Sequence, residues 1–143
     1  MGTGLSFRLH VLTARLDRAA DRILRAEQGI SYQRFLALTL VGELGAGTQR
    51  ALAEGLGVTE PSVSRMTGVL VAEGLLDARA DPGGGHRKRL ALTPRGERLV
   101  RDGQQILEER FAALVSASGV SYQRLEADTA ALLAALTDGG TTP

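Results

Sequence analysis

The sequence predicts a mainly α-helical chain with one small β-hairpin, an α+β fold. Three observations carry this expectation. Apolar residues recur at helical spacing in six stretches. Glycines and serine or threonine caps separate those stretches. One segment, 76–92, changes to a strand-like period around Asp81-Pro82-Gly83-Gly84-Gly85-His86, strong turn chemistry.

Taken in order, Leu5, Leu9, Leu12, Leu16, Ala19, Ile23 and Ala26 step by 4, 3, 4, 3, 4 and 3, a helical apolar seam. Gly29 stops this helix, and Ser31 is the expected N-cap of a second one carrying Phe35, Leu36, Leu40, Val41 and Leu44. Thr48 is the expected cap of a brief helix with Ala51, Leu52 and Leu56 facing inward. Gly57 marks a tight turn, Val58 plugs the core, and Thr59 caps the next helix with Pro61 in its first turn, where a missing N–H costs nothing. Val63, Met66, Leu70 and Val71 form that helix's expected buried stripe, and Gly74 ends it. Short strands at 76–79 and 89–92 make the hairpin. Thr93-Pro94 then opens a long helix through Leu99, Val100, Ile106, Leu107, Phe111, Leu114 and Val115. Ser121 caps a last helix with Leu125, Leu132, Leu133 and Leu136, and 137–143 is expected to fray. The stretch 29–35 recurs as 119–125 (Gly, an apolar residue, Ser-Tyr-Gln-Arg, an apolar residue), which shared capping chemistry explains.

Composition removes whole classes of function. At 143 residues and 43% apolar content the chain reads as a single domain, 1–143, with enough apolar side chains to bury a core. Its 17 basic and 16 acidic side chains leave a net charge of +1, so neither a polybasic nor an acidic tail dominates. The absence of Cys excludes disulfides, thiolate zinc sites and thiol redox sensing. His10 and His86 are too few and too far apart for a histidine metal cluster, so neither metal nor cofactor is expected. No Gly-rich phosphate loop precedes a helix and Glu108-Glu109 point to different helix faces, so an enzyme is not expected. The longest uncharged run, 111–123, is far short of a membrane span, and a cytoplasmic protein with no membrane partner is the expectation. Sixteen of the basic residues are Arg, with Lys88 the one Lys, and Asn is absent, which removes the paired amide contact to adenine that Asn makes.

Short helix, glycine turn and second helix is the arrangement of a helix-turn-helix. The free face of the second helix carries Glu60, Ser62, Ser64, Arg65 and Gly68. Small hydroxyls and an Arg near a helix N-terminus suit a DNA major groove, although an ordinary solvated face has the same composition. The hairpin adds weight to the first reading. Residues 84–101 hold Arg87, Lys88, Arg89, Arg95, Arg98 and Arg101 against Glu97, six positive charges to one negative. Positive charge beside a Gly-rich tip is what a phosphate-tracking or minor-groove arm requires.

Leu52-Ala53-Glu54-Gly55-Leu56-Gly57-Val58-Thr59-Glu60-Pro61-Ser62-Val63-Ser64-Arg65, then Leu70 and Glu73-Gly74-Leu75-Leu76, then Leu92-Thr93-Pro94-Arg95-Gly96, resemble the multiple-antibiotic-resistance regulator (MarR) family. The resemblance implies a homodimeric winged helix-turn-helix that binds palindromic double-stranded promoter DNA, usually as a repressor, and releases it on binding a small-molecule effector. It makes 48–56 the bracing helix, 59–73 the recognition helix and 76–92 the wing within a 48–92 DNA-binding lobe. It also makes 31–44 a linking helix, and 5–28 and 94–136 dimerisation helices. The implied DNA contacts are Thr48, Gln49, Arg50, Thr59, Ser62, Ser64, Arg65 and Arg89, with either His86 or, through a one-residue slip, Arg87 at the wing tip. Gly84 and His86 stand where the family commonly carries an Asp and an Arg. An effector site would be lined by His10, Tyr32, Phe35 and Phe111, all residue types at least as well suited to ordinary core, which is the better reading for Phe35 and Phe111. The leucine seam fits a dimer independently, since joining two chains through Leu5, Leu9, Leu12, Leu16, Leu125, Leu132, Leu133 and Leu136 buries them and sets two recognition helices roughly 34 Å apart. Intramolecular packing of the seam is the alternative, and a winged helix that contacts only protein is the rival function.

Overall fold

The computed structural model describes residues 2–44, 47–80, 83 and 88–138. It contains helices α1 (Leu5–Gln28), α2 (Tyr32–Leu44), α3 (Gln49–Leu56), α4 (Glu60–Ala72), α5 (Pro94–Ser118) and α6 (Tyr122–Asp138). Strands β1 (Gly47–Thr48), β2 (Leu76–Ala80) and β3 (Lys88–Leu92) form one antiparallel sheet in the order β1-β3-β2. The chain divides into two compact units, Met1–Gln104 and Gln105–Pro143, with the boundary inside α5.

In the first unit the capping signals act as their chemistry dictates. Gly29 takes the left-handed conformation that ends α1. Ser31 Oγ accepts from the Arg34 N–H at 3.2 Å, and Thr48 Oγ1 from the Ala51 N–H at 3.1 Å. Thr59 Oγ1 accepts from the Ser62 N–H at 3.3 Å, and Thr93 Oγ1 from the Gly96 N–H at 3.0 Å. Each satisfies a first-turn donor that the helix itself cannot. The Asp21 carboxylate reaches from α1 to α2, accepting from the Tyr32 N–H at 2.9 Å and from Arg25 Nε at 2.8 Å. Those two bonds, the backbone one first, hold its carboxyl below the usual carboxylate range.

The core of this unit is Leu24, Ile30, Phe35, Ala37, Leu38 and Val41 of the first two helices, meeting Leu52, Ala53, Val63 and Leu70 of α3 and α4 and Leu75, Leu76 and Leu90 of the hairpin base. Two expectations shift here. In α3 it is Leu52 and Ala53 that are buried, with Ala51 and Leu56 half-buried. In α4 the buried stripe is Val63, Thr67 and Leu70, while Val71 is 39% exposed because it lies about 100° around the helix from Leu70. Strand β1 has no sequence counterpart among the expected elements; it pairs Gly47 with Leu90 and Thr48 with Arg89.

The junction from α4 to α5 is closely built. Thr93 Oγ1 donates to Gly74 O at 2.6 Å, the Thr93 N–H to Leu75 O at 3.1 Å, and Arg95 Nη1 to Glu73 O at 3.1 Å. Gly96 sits so close that a Cβ there would fall on the Leu75 carbonyl oxygen.

In the second unit, Gly119 is left-handed and Ser121 Oγ accepts from the Arg124 N–H at 3.3 Å, repeating the stop-and-cap of Gly29 and Ser31. The sequence echo is therefore capping chemistry. Phe111 meets Tyr122 edge-on at 6.4 Å, and the Tyr122 hydroxyl donates to Glu108 Oε2 at 3.1 Å, which raises the phenol's pKa above its ordinary value. Helix α6 runs to Asp138, two residues beyond the expected end at Leu136.

Gly96→Ala is expected to lower stability by about 1–3 kcal/mol, because a backbone carbonyl cannot move aside as a side chain can; the midpoint of urea unfolding measures it. Asp21 has a depressed folded pKa, so its contribution is full above the ordinary carboxylate range and is lost as pH falls through the folded value. Asp21→Asn should therefore lose less stability on acidification than the wild-type chain, read from urea midpoints at neutral and acid pH.

Candidate nucleic-acid interface

Helix α4 packs against α3 and β2, and that packing decides which of its side chains face outward. With Val63, Thr67 and Leu70 inside, Glu60, Ser64, Arg65 and Gly68 are exposed and Ser62 is half-exposed. The turn that sets α4 at this angle depends on Gly57, whose φ of 68° is a left-handed value that a Cβ penalises. The following Val58 N–H donates to Ala53 O at 3.1 Å, closing the end of α3.

The residues expected to contact DNA fall into three settings. Within the first two turns of α4, Arg65 projects away from the buried stripe, with Ser62 and Ser64 toward its two sides. Thr48 and Thr59 stand at helix starts, where each hydroxyl oxygen already accepts a backbone N–H. Arg50 is exposed on α3, with Nε 3.6 Å from Glu54 Oε1. Gln49 differs from its neighbours, because its side-chain amide turns inward and donates to Thr67 Oγ1 at 3.2 Å. On the wing, Arg89 is exposed on β3. His86 and Arg87 lie outside the described residues, and with them the assignment of the wing tip.

The sheet register adds a residue missing from the expected contacts. Arg79 of β2 is directly opposite Arg89, and Ala80 is opposite Lys88. Residues directly opposite share a face, so two exposed guanidinium groups stand together on this hairpin. Neither has an ion-pair partner among the described residues. The signal was available in the sequence, since strands starting at Leu76 and ending at Leu92 pair 79 with 89.

A profile of the MarR family matches residues 28–87, from the end of α1 into the wing. No curated protein matches the chain significantly by sequence. Among solved structures, MepR, a transcription regulator of the Staphylococcus aureus multidrug efflux pump MepA, is 25% identical, with 95% of this chain and 98% of that chain covered and a TM-score of 0.69. Residues 28–87 are thus similar to the MarR family, and the fold of the chain is that of these regulators. The S. aureus MepR–DNA complex is 24% identical over 96% of this chain and 99% of that one, at a TM-score of 0.74. A mutant MarR from E. coli, 18% identical over 95% and 98%, reaches 0.80 and so shares the fold.

Within the first unit, His10, Tyr32 and Phe35, expected to line an effector pocket, do not share one surface. Phe35 is 3% exposed and stacks on Tyr32 at 6.5 Å, with its ring edge where a Cβ on Gly103 would lie. It is core and has no surface to offer a ligand. His10 is exposed on α1, eleven residues before Asp21, whose carboxylate binds the Tyr32 N–H, which places it about 16 Å along the helix from that contact. Tyr32 instead borders a shallow concavity with Arg15, Asp17, Arg18, Asp21 and Arg22. Burial and the nearby Asp17 carboxylate raise its hydroxyl's pKa. Phe111 belongs to the second unit and packs on Tyr122.

The seam leucines are open within each unit. Leu5 is 68% exposed, Leu9 and Leu12 are exposed and Leu16 is half-buried. On α6, Leu132, Leu133 and Leu136 are exposed and Leu125 is half-buried.

If Arg79 and Arg89 repel one another, Arg79→Thr should raise the stability of the free protein by about 0.3 kcal/mol at low salt. The gain should vanish in high salt, where exposed charges are screened. Urea midpoints at the two ionic strengths test this, and a lower midpoint at low salt would show that the pair is not repulsive.

Proposed function

We propose that the chain is a homodimeric, sequence-specific regulator of transcription that binds a palindromic double-stranded operator and represses from it. The observation that carries this reading is the outward surface of α4. One stripe of the helix is locked into the core, and the opposite surface offers Arg65 at its centre, flanked on its two sides by Ser62 and Ser64. Hydroxyls there are short enough to let the helix approach base edges closely, and the Arg is suited to the paired acceptors of guanine. Thr48, Arg50 and Thr59 flank that surface at the two helix starts and would meet backbone phosphates. Arg79 and Arg89 add two guanidinium groups to a wing face that also carries Asp77, and a phosphate there would relieve the repulsion between them.

A dimer follows from the apolar area left open on α1 and α6. Leu5, Leu9, Leu12 and Leu16, with Leu125, Leu132, Leu133 and Leu136, form stripes at helical spacing, and large exposed apolar patches of this kind mark association surfaces. Two copies related by a twofold axis present two recognition helices to successive major grooves, roughly 34 Å apart. The MepR–DNA complex, with its similar fold, supports the groove-binding reading. The effector is the least constrained part. Tyr32 and its concavity, bordered by three arginines and two aspartates, offer a place for a small polar aromatic compound whose binding would favour release of the duplex.

The test is a titration of duplex against salt with the full chain. A dimer neutralising roughly six to ten phosphates should give a log–log slope of about −5 to −9. Arg65→Ala should reduce discrimination between the preferred and an unrelated duplex by about 1–3 kcal/mol, whereas Arg89→Ala should weaken both alike and flatten the slope. Absence of duplex affinity at low salt, or a solution mass that stays at the 15.1 kDa of one chain, would overturn the reading.

A further inference from the structure

Thr67 is the one polar side chain buried among the described residues, at 3% exposure, and it lies in the middle of α4 between Val63 and Leu70. Its hydroxyl is fully engaged. Oγ1 donates to Ser64 O at 3.1 Å and accepts from Gln49 Nε2 at 3.2 Å. A chain of hydrogen bonds therefore runs from the first residue of α3, through the interior, to the backbone of a residue on the outward surface of α4.

Burying a hydroxyl gains nothing in stability that a methyl could not supply, since valine has nearly the same shape and carries no desolvation cost. What the hydroxyl adds is direction. Apolar contacts between α3 and α4 are nearly indifferent to a small rotation of one helix against the other. A hydrogen bond weakens steeply once its angle or length is disturbed. A rotation of 10° about the α4 axis displaces side chains on its surface by about 1 Å, at the roughly 6 Å radius of a helix with its side chains. Errors of that size matter where Arg65 and the two serines are to meet base edges.

We propose that Gln49 is a positioning residue that determines specificity. Its amide, acting through Thr67, fixes the rotation of the recognition helix, and its task is that bond and not a contact with the DNA backbone. The inference rests on the DNA-binding reading of α4 given above, and it reassigns Gln49 from the phosphate contact that the family resemblance implies.

Thr67→Val, Gln49→Ala and the double variant, each in the full chain, test it. The probes are a duplex selected from a randomised pool by the wild-type chain and an unrelated duplex of the same length. Thr67→Val should fold, with the half-buried Gln49 amide turning to water for its lost acceptor, and bind the unrelated duplex as before. Its preference for the selected duplex should fall between about threefold and tenfold, the range that one hydrogen bond spans. Gln49→Ala should match it, the double variant should lose no more than the worse single, and the salt slope should stay at the wild-type value. Thr67→Ser keeps the hydroxyl and should keep the preference. Should Thr67→Val fail to fold, Gln49→Ala and Thr67→Ser carry the same contrast. Unchanged preference in Gln49→Ala overturns the inference, as does an equal loss on both duplexes with a salt slope flatter by about 1 per subunit, the mark of a phosphate contact. If the wild-type chain itself shows no preference among duplexes, the DNA-binding reading falls and takes this inference with it. Wild-type preference that survives in every variant sinks the inference alone.

Discussion

The arrangement depends on the burial of one stripe of α4. Val63 and Leu70 are wholly inside, where α4 packs on α3 and β2, whose Leu52 and Leu76 are buried too. Fully burying side chains of this size contributes about 1.5–3 kcal/mol each, so the helix cannot turn far without exposing several at once. The opposite surface is therefore specified indirectly. Ser62, Ser64 and Arg65 face outward because their neighbours in the sequence are committed inward. Apolar burial sets this orientation coarsely, and the Gln49–Thr67 bond adds the angular resolution that dispersion and hydration lack.

Much of this was legible because local chemistry and tertiary packing agree. The ends of α1 follow from a sustained apolar seam terminated at Gly29, and the starts of α3, α4 and α5 follow from Thr48, Thr59 and Thr93, each placed where a first-turn N–H needs an acceptor. Strand β1 was not legible, because two residues show no period and its existence is decided by pairing with a strand some 40 positions away. Thr67 was missed for a different reason. A polar residue beside two apolar ones reads as solvated, and only the arrival of Gln49 from another helix makes its burial tolerable. Phe35 shows the converse, since core is the better reading of its aromatic ring and the close approach of Gly103 agrees with it.

The interface was legible in part. Serine, serine and arginine on the free surface of α4 could be read from helical phase alone, and the basic character of the wing from composition. The opposition of Arg79 and Arg89 required pairing the two strands, which makes Arg79, absent from the expected contacts, half of a like-charged pair. The exposed leucines of α1 and α6 were legible as seams, and their exposure within each unit is the feature that association would cover.

The joint between α4 and α5 has a mechanical consequence. Bonds from Thr93 and Arg95 hold the carbonyls of Glu73, Gly74 and Leu75, and Gly96 lies against the last of these with no room between. Such a joint has no slack. The end of α4 and the opening turn of α5 behave as one stiff corner, so a force that tilts one must reorient the other.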